Sequence, residues 1–176
     1  MAAPVDESRR GFLKVATAAL GALVGALAVV PGLGFLAYPL RERTVGGGEE
    51  PTRVASLGDL RPGRPQRVNV VGSLKDAWLR LDGQKLGGCW LVKQPDGRVR
   101  AFSTVCPHLG CGVDWNDRTR AFECPCHGSV FGPDGRRQSG PTPRDLDELA
   151  VETSGDDVRV SYRRFRLSVP RKEPLA

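Results

Sequence analysis

The sequence predicts an all-β domain carried behind one N-terminal transmembrane helix, and three observations lead there. Beyond Thr52, short apolar runs are broken at close intervals by Gly, Pro and Asp, the punctuation of strands joined by tight turns. No stretch in that region repeats apolar residues at the three- and four-residue spacing of a helix face, apart from a single turn at residues 57–60. Ahead of it, residues 15–38 run for 24 positions without a charge. At about 1.5 Å per residue such a helix reaches about 36 Å, enough for a hydrocarbon core. A chain of 176 residues has room for one domain with this appendage.

The elements follow in order. Residues 1–11 are polar, and Ser8-Arg9-Arg10-Gly11-Phe12-Leu13-Lys14 looks like a twin-arginine export signal, the bacterial route for proteins that cross the membrane already folded around a cofactor. That direction of export predicts a single-pass protein of the bacterial inner membrane, with its N-terminus in the cytoplasm and the domain on the periplasmic or outer side. Residues 12–38 are the expected anchor: a helix over 12–30, a kink or frayed end at Pro31-Gly32, and Tyr38 at the far interface. Gly21 and Gly25 share one face and offer a small-residue stripe to a neighbouring helix. Ala26-Leu27-Ala28 has the pattern of a processing site, so cleavage competes with retention. Residues 39–51 read as a hinge linker around Gly46-Gly47-Gly48, a run with almost no conformational preference.

In the β domain, residues 52–166, strands are expected near 53–56, 66–71, 77–81, 88–93, 99–102, 121–123, 150–153 and 158–162. Turns fall at Gln94-Pro95-Asp96-Gly97, Asn116-Asp117, Pro133-Asp134-Gly135 and Gly155-Asp156. Residues 167–176 form a C-terminal tail. The net charge of +6 comes from 26 Lys and Arg scattered among 20 Asp and Glu. Without a basic helix or an aromatic platform to organise them, nucleic acid is not an expected partner. Arg163, Arg164 and Arg166 read as a solvated face or a contact with acidic lipid or partner surface.

Two boxes carry the chemistry. Cys106-Pro107-His108-Leu109-Gly110-Cys111 and Cys124-Pro125-Cys126-His127-Gly128-Ser129 contain both histidines of the chain and four of its five cysteines. A Cys-x-His pair and a Cys-x-x-His pair, on loops within about 104–143, offer two thiolates and two imidazoles. One zinc ion takes that donor set. So does a two-iron cluster in which two Cys hold one iron and two His the other. In the second case neutral imidazoles in place of thiolates remove negative charge and raise the potential, to about −150 to +300 mV against about −400 mV for an all-Cys cluster. Each imidazole also keeps a second nitrogen whose proton affinity follows the charge of the metal, so that electron and proton move together.

At these boxes the chain resembles the Rieske iron-sulfur proteins, specifically the branch found in quinol-oxidising cytochrome bc complexes. The likeness is close in the boxes and weaker over residues 50–165. It implies a Rieske-type antiparallel β-sandwich with a cluster-binding loop subdomain and one [2Fe-2S] cluster per chain. By that resemblance Cys106 and Cys124 bind the ferric iron, His108 and His127 bind the redox-active one, and Cys111 and Cys126 form a disulfide. Cys89 is then left over, in the apolar run Gly88-Cys89-Trp90-Leu91-Val92, where it reads as a small buried hydrophobe. Ser129 matches the serine that donates a hydrogen bond to a cluster sulfide. Phe131 stands where many high-potential members carry a tyrosine, which implies a lower potential and a quinol such as menaquinol. Leu109 resembles the exposed residue that meets cytochrome b, and Gly140-Pro141-Thr142-Pro143 the proline loop that covers the cluster. Bland alternatives are core packing for Phe131, packing for Leu109 and a merely rigid loop for the prolines.

The resemblance further implies a retained anchor, cytochrome b and a c-type cytochrome as partners within a dimeric complex, and a quinol substrate at the cytochrome b interface. In that role the chain is the electron-transfer subunit of a quinol:cytochrome c oxidoreductase and not catalytic alone. His127, and second to it His108, would accept the quinol hydrogen bond and proton. Three other roles fit parts of the sequence: the small subunit of another exported oxidoreductase such as an arsenite oxidase, a soluble Rieske ferredoxin, and a zinc-stabilised binding module. The anchor and the paired extra cysteines disfavour the second.

Overall fold

Apolar side chains dominate the chain from Phe12 to Leu40, and in the computed structural model, which describes residues 7–41, 50–75 and 78–175, they form one helix, α1, at Glu7–Arg41. It is long and apolar enough to cross a membrane. The frayed end offered at Pro31-Gly32 does not occur: α1 runs through both Pro31 and Pro39. A proline removes one hydrogen bond, but abandoning the helix would strip several backbone groups of partners in a segment with apolar flanks, so continuing is the cheaper outcome. Met1–Thr44 and Val45–Ala176 are separate compact units. Gly46-Gly47-Gly48, and with it the hinge expectation, lies outside the described residues.

The second unit is antiparallel β throughout. Its strands are β1 Thr52–Ser56, β2 Gln66–Lys75, β3 Arg80–Lys93, β4 Val99–Ser103, β5 Asp114–Asn116, β6 Ala121–Cys124, β7 Ser129–Phe131, β8 Arg137–Ser139, β9 Glu148–Ser154 and β10 Asp157–Ser161. Six form a near-barrel sheet in the order β1-β10-β9-β4-β3-β2, and four form a smaller sheet in the order β5-β6-β7-β8. The turn expected at residues 57–60 is a single 3-10 turn at Leu57–Asp59. Two runs read as separate strands, 77–81 and 88–93, are largely one: β3 begins at Arg80 and continues to Lys93. Strands β5, β7 and β8 were not expected; each has only three residues.

Strand alternation explains how one chain builds two cores. Along β3, Cys89 and Leu91 point into a core shared with Leu149, Val158 and Val160. Trp90 and Val92, on the opposite face, enter a second core with Phe102, Val113, Phe122 and Phe131. β4 repeats the division, with Ala101 on the first side and Phe102 on the second. The β3-β4 ladder is therefore a wall buried on both faces, and this accounts for the continuous apolar runs in those segments. The second core is aromatic: Phe122 meets Trp90, Phe102 and Trp115 at ring-centroid distances of 5.7, 6.0 and 4.9 Å. Trp90 donates its indole N–H to the Val113 carbonyl at 2.9 Å, tying the wall to the first box.

Candidate metal centre

Each box closes on a tight turn of the same kind. In the first, between β4 and β5, the Gly110 N–H donates to the Cys106 carbonyl at 3.0 Å and the Cys106 N–H to the Cys111 carbonyl at 2.8 Å. In the second, at the tip of the β6-β7 hairpin, the Gly128 N–H donates to the Cys124 carbonyl at 3.1 Å. The two tips are joined by a disulfide between Cys111 and Cys126. The expected bridge is thus present in the structure.

The four candidate donors divide by environment. Cys106 and Cys124 are free thiols, 1% and 3% exposed, and belong to the aromatic core. Burial pushes the Cys106 thiol above its ordinary range, reinforced by the neighbouring Cys124 and opposed by a backbone hydrogen bond from His108. His108 is half-buried and His127 exposed, and their rings lie 4.8 Å apart, nearly perpendicular. Distance alone also groups the sulfurs of Cys111, Cys124 and Cys126 within 4.8 Å. Two of those are spent in the disulfide, so this grouping records how closely Cys124 approaches the bridge and is not a ligand triad.

Ser129 supplies the sharpest test of what the site accommodates. Its hydroxyl is buried and, among the described residues, is the one such side-chain oxygen or nitrogen without a hydrogen-bond partner in the protein; it lies close enough to the Cys106 sulfur to hold that thiol's affinity for protons down slightly. A buried donor beside the buried Cys106 thiol fits a sulfur-bearing inorganic group, because a donor left unsatisfied costs about 1–3 kcal/mol. Phe131 is wholly buried in the aromatic core, as its packing interpretation expected. Leu109 is exposed at the tip of the first box, at 57%.

The proline loop meets the second box by backbone contact. Gly140 has φ +91°, and a Cβ there would lie 2.4 Å from the Ser129 Cα and 2.8 Å from the Gly128 carbonyl. Only glycine allows that approach. Pro141 is exposed and Pro143 half-buried. Past them comes a pair the sequence analysis missed: Arg144 and Asp147, with side chains 8% and 5% exposed, form a two-pronged ion pair at 2.9 and 2.8 Å. No sequence signal marks them, since an Arg and an Asp three apart are commonplace on a surface. Cys89 stands apart from the boxes, wholly buried in the first core, where desolvation pushes its pKa up to about 12.

A domain of two β-sheets that presents two Cys/His loops bound by a disulfide has the donor set of an iron-sulfur carrier, and the comparisons decide for it over zinc. Residues 50–152 match the family model described as the Rieske [2Fe-2S] domain, and the chain belongs to that family; its cofactor is a [2Fe-2S] cluster. It is 31% identical to the menaquinol:cytochrome c reductase iron-sulfur subunit of Geobacillus thermodenitrificans, over 77% of this chain and 79% of the relative. It is 33% identical to the cytochrome b6-f complex iron-sulfur subunit of Synechococcus sp. (strain JA-3-3Ab), over 88% and 87%. Among solved structures it is similar to the plasma membrane Rieske protein PetC3 of Synechocystis PCC 6803, at 27% identity and a TM-score of 0.48, over 63% of this chain and 99% of that one. The two subunits are named for a menaquinol:cytochrome c reductase and a cytochrome b6-f complex, and membership of the family supports an electron-transfer role for this chain.

Proposed function

We propose that this chain is the electron-transfer subunit of a quinol:cytochrome c oxidoreductase, working between a quinol bound at cytochrome b and a c-type cytochrome. The observation that carries the reading is the pairing of two core-buried thiols with two imidazoles, one half-buried and one exposed, whose rings lie 4.8 Å apart. Cys106, Cys124, His108 and His127 are the proposed ligands. When bound, the [2Fe-2S] cluster supplies an acceptor for one electron. The thiolate pair is kept from water by the aromatic core. The exposed His127 ring takes the hydrogen bond from the quinol hydroxyl and accepts its proton, with His108 second in line. The quinol's other electron passes to cytochrome b, outside this chain, and its other proton to solvent. The proton on His127 is released outside when the electron moves on to the c-type cytochrome. Leu109, exposed beside His108, is the proposed contact with cytochrome b.

Menaquinol is the proposed donor. Phe131 cannot offer a hydroxyl to a ligand sulfur, which lowers the potential, and two of the relatives are named menaquinol:cytochrome c reductase subunits. The proposed organisation is a cytoplasmic N-terminus with Arg9 and Arg10 as export signal, a retained anchor at 12–38, a hinge within 39–51 past the end of α1 at Arg41, a cluster domain at 52–166 and a tail at 167–176. Purification from native membranes tests the assembly. Co-purification of cytochrome b and a c-type cytochrome is the expected result, and a molybdenum-containing large subunit would overturn it. The ligand set is tested on the same preparation: alanine at any of the four positions abolishes the reduced-state paramagnetic signal. Stoichiometric zinc and no redox activity in the unaltered protein would end the electron-carrier reading.

A further inference from the structure

The two boxes are supported unequally. The second sits on its own hairpin, with Cys124 and Ser129 paired across the β6-β7 ladder. The first leaves β4 in the larger sheet and enters β5 in the smaller one; the isolated Val105-Gly112 bridge and the turn bonds hold it from within, and the Cys111-Cys126 disulfide ties its far end to the second box. A loop strung between sheets needs outside support if a side chain on it is to keep a fixed direction.

That support comes from residues 166–169, part of what reads in the sequence as a tail. The Ser168 N–H donates to the Pro107 carbonyl at 2.9 Å, and the Ser168 hydroxyl donates to the His108 carbonyl at 2.5 Å. Ser168 makes both bonds from a left-handed backbone, φ +58°, which non-glycine residues ordinarily avoid. The neighbouring Leu167 packs on Gly110, where an added Cβ would come within 3.0 Å of Leu167 Cδ1. The residues on either side are fastened to the buried ion pair: Arg144 donates to the Val169 carbonyl at 2.6 Å and to the Arg166 carbonyl at 2.8 Å. Asp147 completes the circuit, because its carbonyl accepts the Ser103 N–H at 2.8 Å at the end of β4, just before the first box begins.

We propose that residues 166–169, fastened by the Arg144-Asp147 pair, are a brace that fixes the direction of the His108 ligand, with Ser168 as its positioning residue. The inference rests on His108 being a ligand, as proposed above. The brace links the strand before the first box, the box itself and the segment after the proline loop, so a disturbance at Ser168 reaches the metal centre through the Pro107 and His108 backbone.

The test uses the full-length, cluster-loaded protein in detergent, with Ser168→Ala, Ser168→Gly and, as a control in the same segment, Glu173→Gln, which removes only an exposed ion pair with Arg166. Ser168→Gly relieves the backbone while deleting the hydroxyl, so it isolates the contact from strain. Both Ser168 variants are expected to alter the reduced-state paramagnetic spectrum and the midpoint potential, and to release the cluster to a chelator about fivefold faster, the effect of losing one hydrogen bond. The control should match the unaltered protein. Unchanged spectrum, potential and release rate in both Ser168 variants would overturn the brace, as would a control that shifts as much as they do. A parallel His108→Ala protein separates the two proposals. If it loses the cluster while the Ser168 variants are silent, only the brace falls; if it keeps the mixed Cys/His signal, the ligand reading falls and takes the brace with it.

Discussion

Replacing Ser129 with alanine should move two properties in opposite directions. The hydroxyl is buried, 1% exposed as a residue, and no protein atom accepts from it. In the cluster-free chain it is a desolvated donor without return, a condition that costs about 1–3 kcal/mol. Ser129→Ala should therefore leave the cluster-free fold as stable as before or more so, by about 1 kcal/mol in chemical unfolding. With the cluster bound, the same hydroxyl faces a sulfur-rich group that gains negative charge on reduction, and a hydrogen bond to charge is stronger than one to a less charged acceptor. Taking the difference between the two redox states as about 1–2 kcal/mol, the midpoint should fall by about 40–90 mV, since for one electron a tenfold change, about 1.4 kcal/mol, corresponds to about 59 mV. A redox titration monitored by the reduced-state paramagnetic signal measures it. An unchanged midpoint, or a cluster-free variant clearly less stable than its parent, would refute the assignment of this hydroxyl to the cluster.

Phe131→Tyr, which adds a hydroxyl at a wholly buried position two residues along β7, should raise the midpoint by some tens of mV in the same titration. Cys111→Ala should leave a foldable protein that loses its cluster faster, because a cross-link spanning 15 residues is worth about 3 kcal/mol of loop entropy; cluster half-life in the presence of chelator reads the effect. Cys89→Ala should keep the cluster, as seen by iron content, and change the response to alkali. The folded thiol's pKa is raised from 9.0 to about 12 by burial, so its contribution to stability is complete below pH 9 and is lost as pH rises from about 9 to about 12. Unfolding measured across that window should show a shallower decline for the variant than for its parent.

The candidate metal centre stood out because few residue types can do its work. Two histidines in the whole chain, each within three positions of a cysteine, leave little else to expect. The long or strongly apolar strands were legible for a similar reason, since β3 and β4 bury both faces. The missed strands, Asp114-Trp115-Asn116, Ser129-Val130-Phe131 and Arg137-Gln138-Ser139, are too short for alternation to register. Glycine in β3 misled in the other direction. Gly87, just before the expected strand at 88–93, lies inside β3 and makes room for Tyr162, whose hydroxyl would lie 2.0 Å from a Cβ placed there. Such an approach joins residues far apart in the chain and leaves no local mark. The same is true of Ser168, sixty positions from the loop it holds.

The two-core design bears on how such a carrier can be adjusted. Cys106, Cys124 and Phe131 belong to the aromatic core, and Ser129 is buried beside the two thiols. His127 and Leu109 project from it into solvent. On the proposed ligand set, substitutions at the buried Ser129 and Phe131 act on charge at close range and in low dielectric, so they alter potential strongly. As a proposed ligand His127 has no such freedom, whereas a substitution at the exposed Leu109 acts on docking, where water screens its influence on the metal. On that reading potential, set at Ser129 and Phe131, and docking, set at Leu109, are adjustable almost independently. The coupling between them is confined to His108: half-buried, carried on the loop between the sheets, and held by Ser168. A change there would alter the direction of a proposed ligand and the exposed tip at Leu109 together, which gives the chain reason to hold that loop from outside.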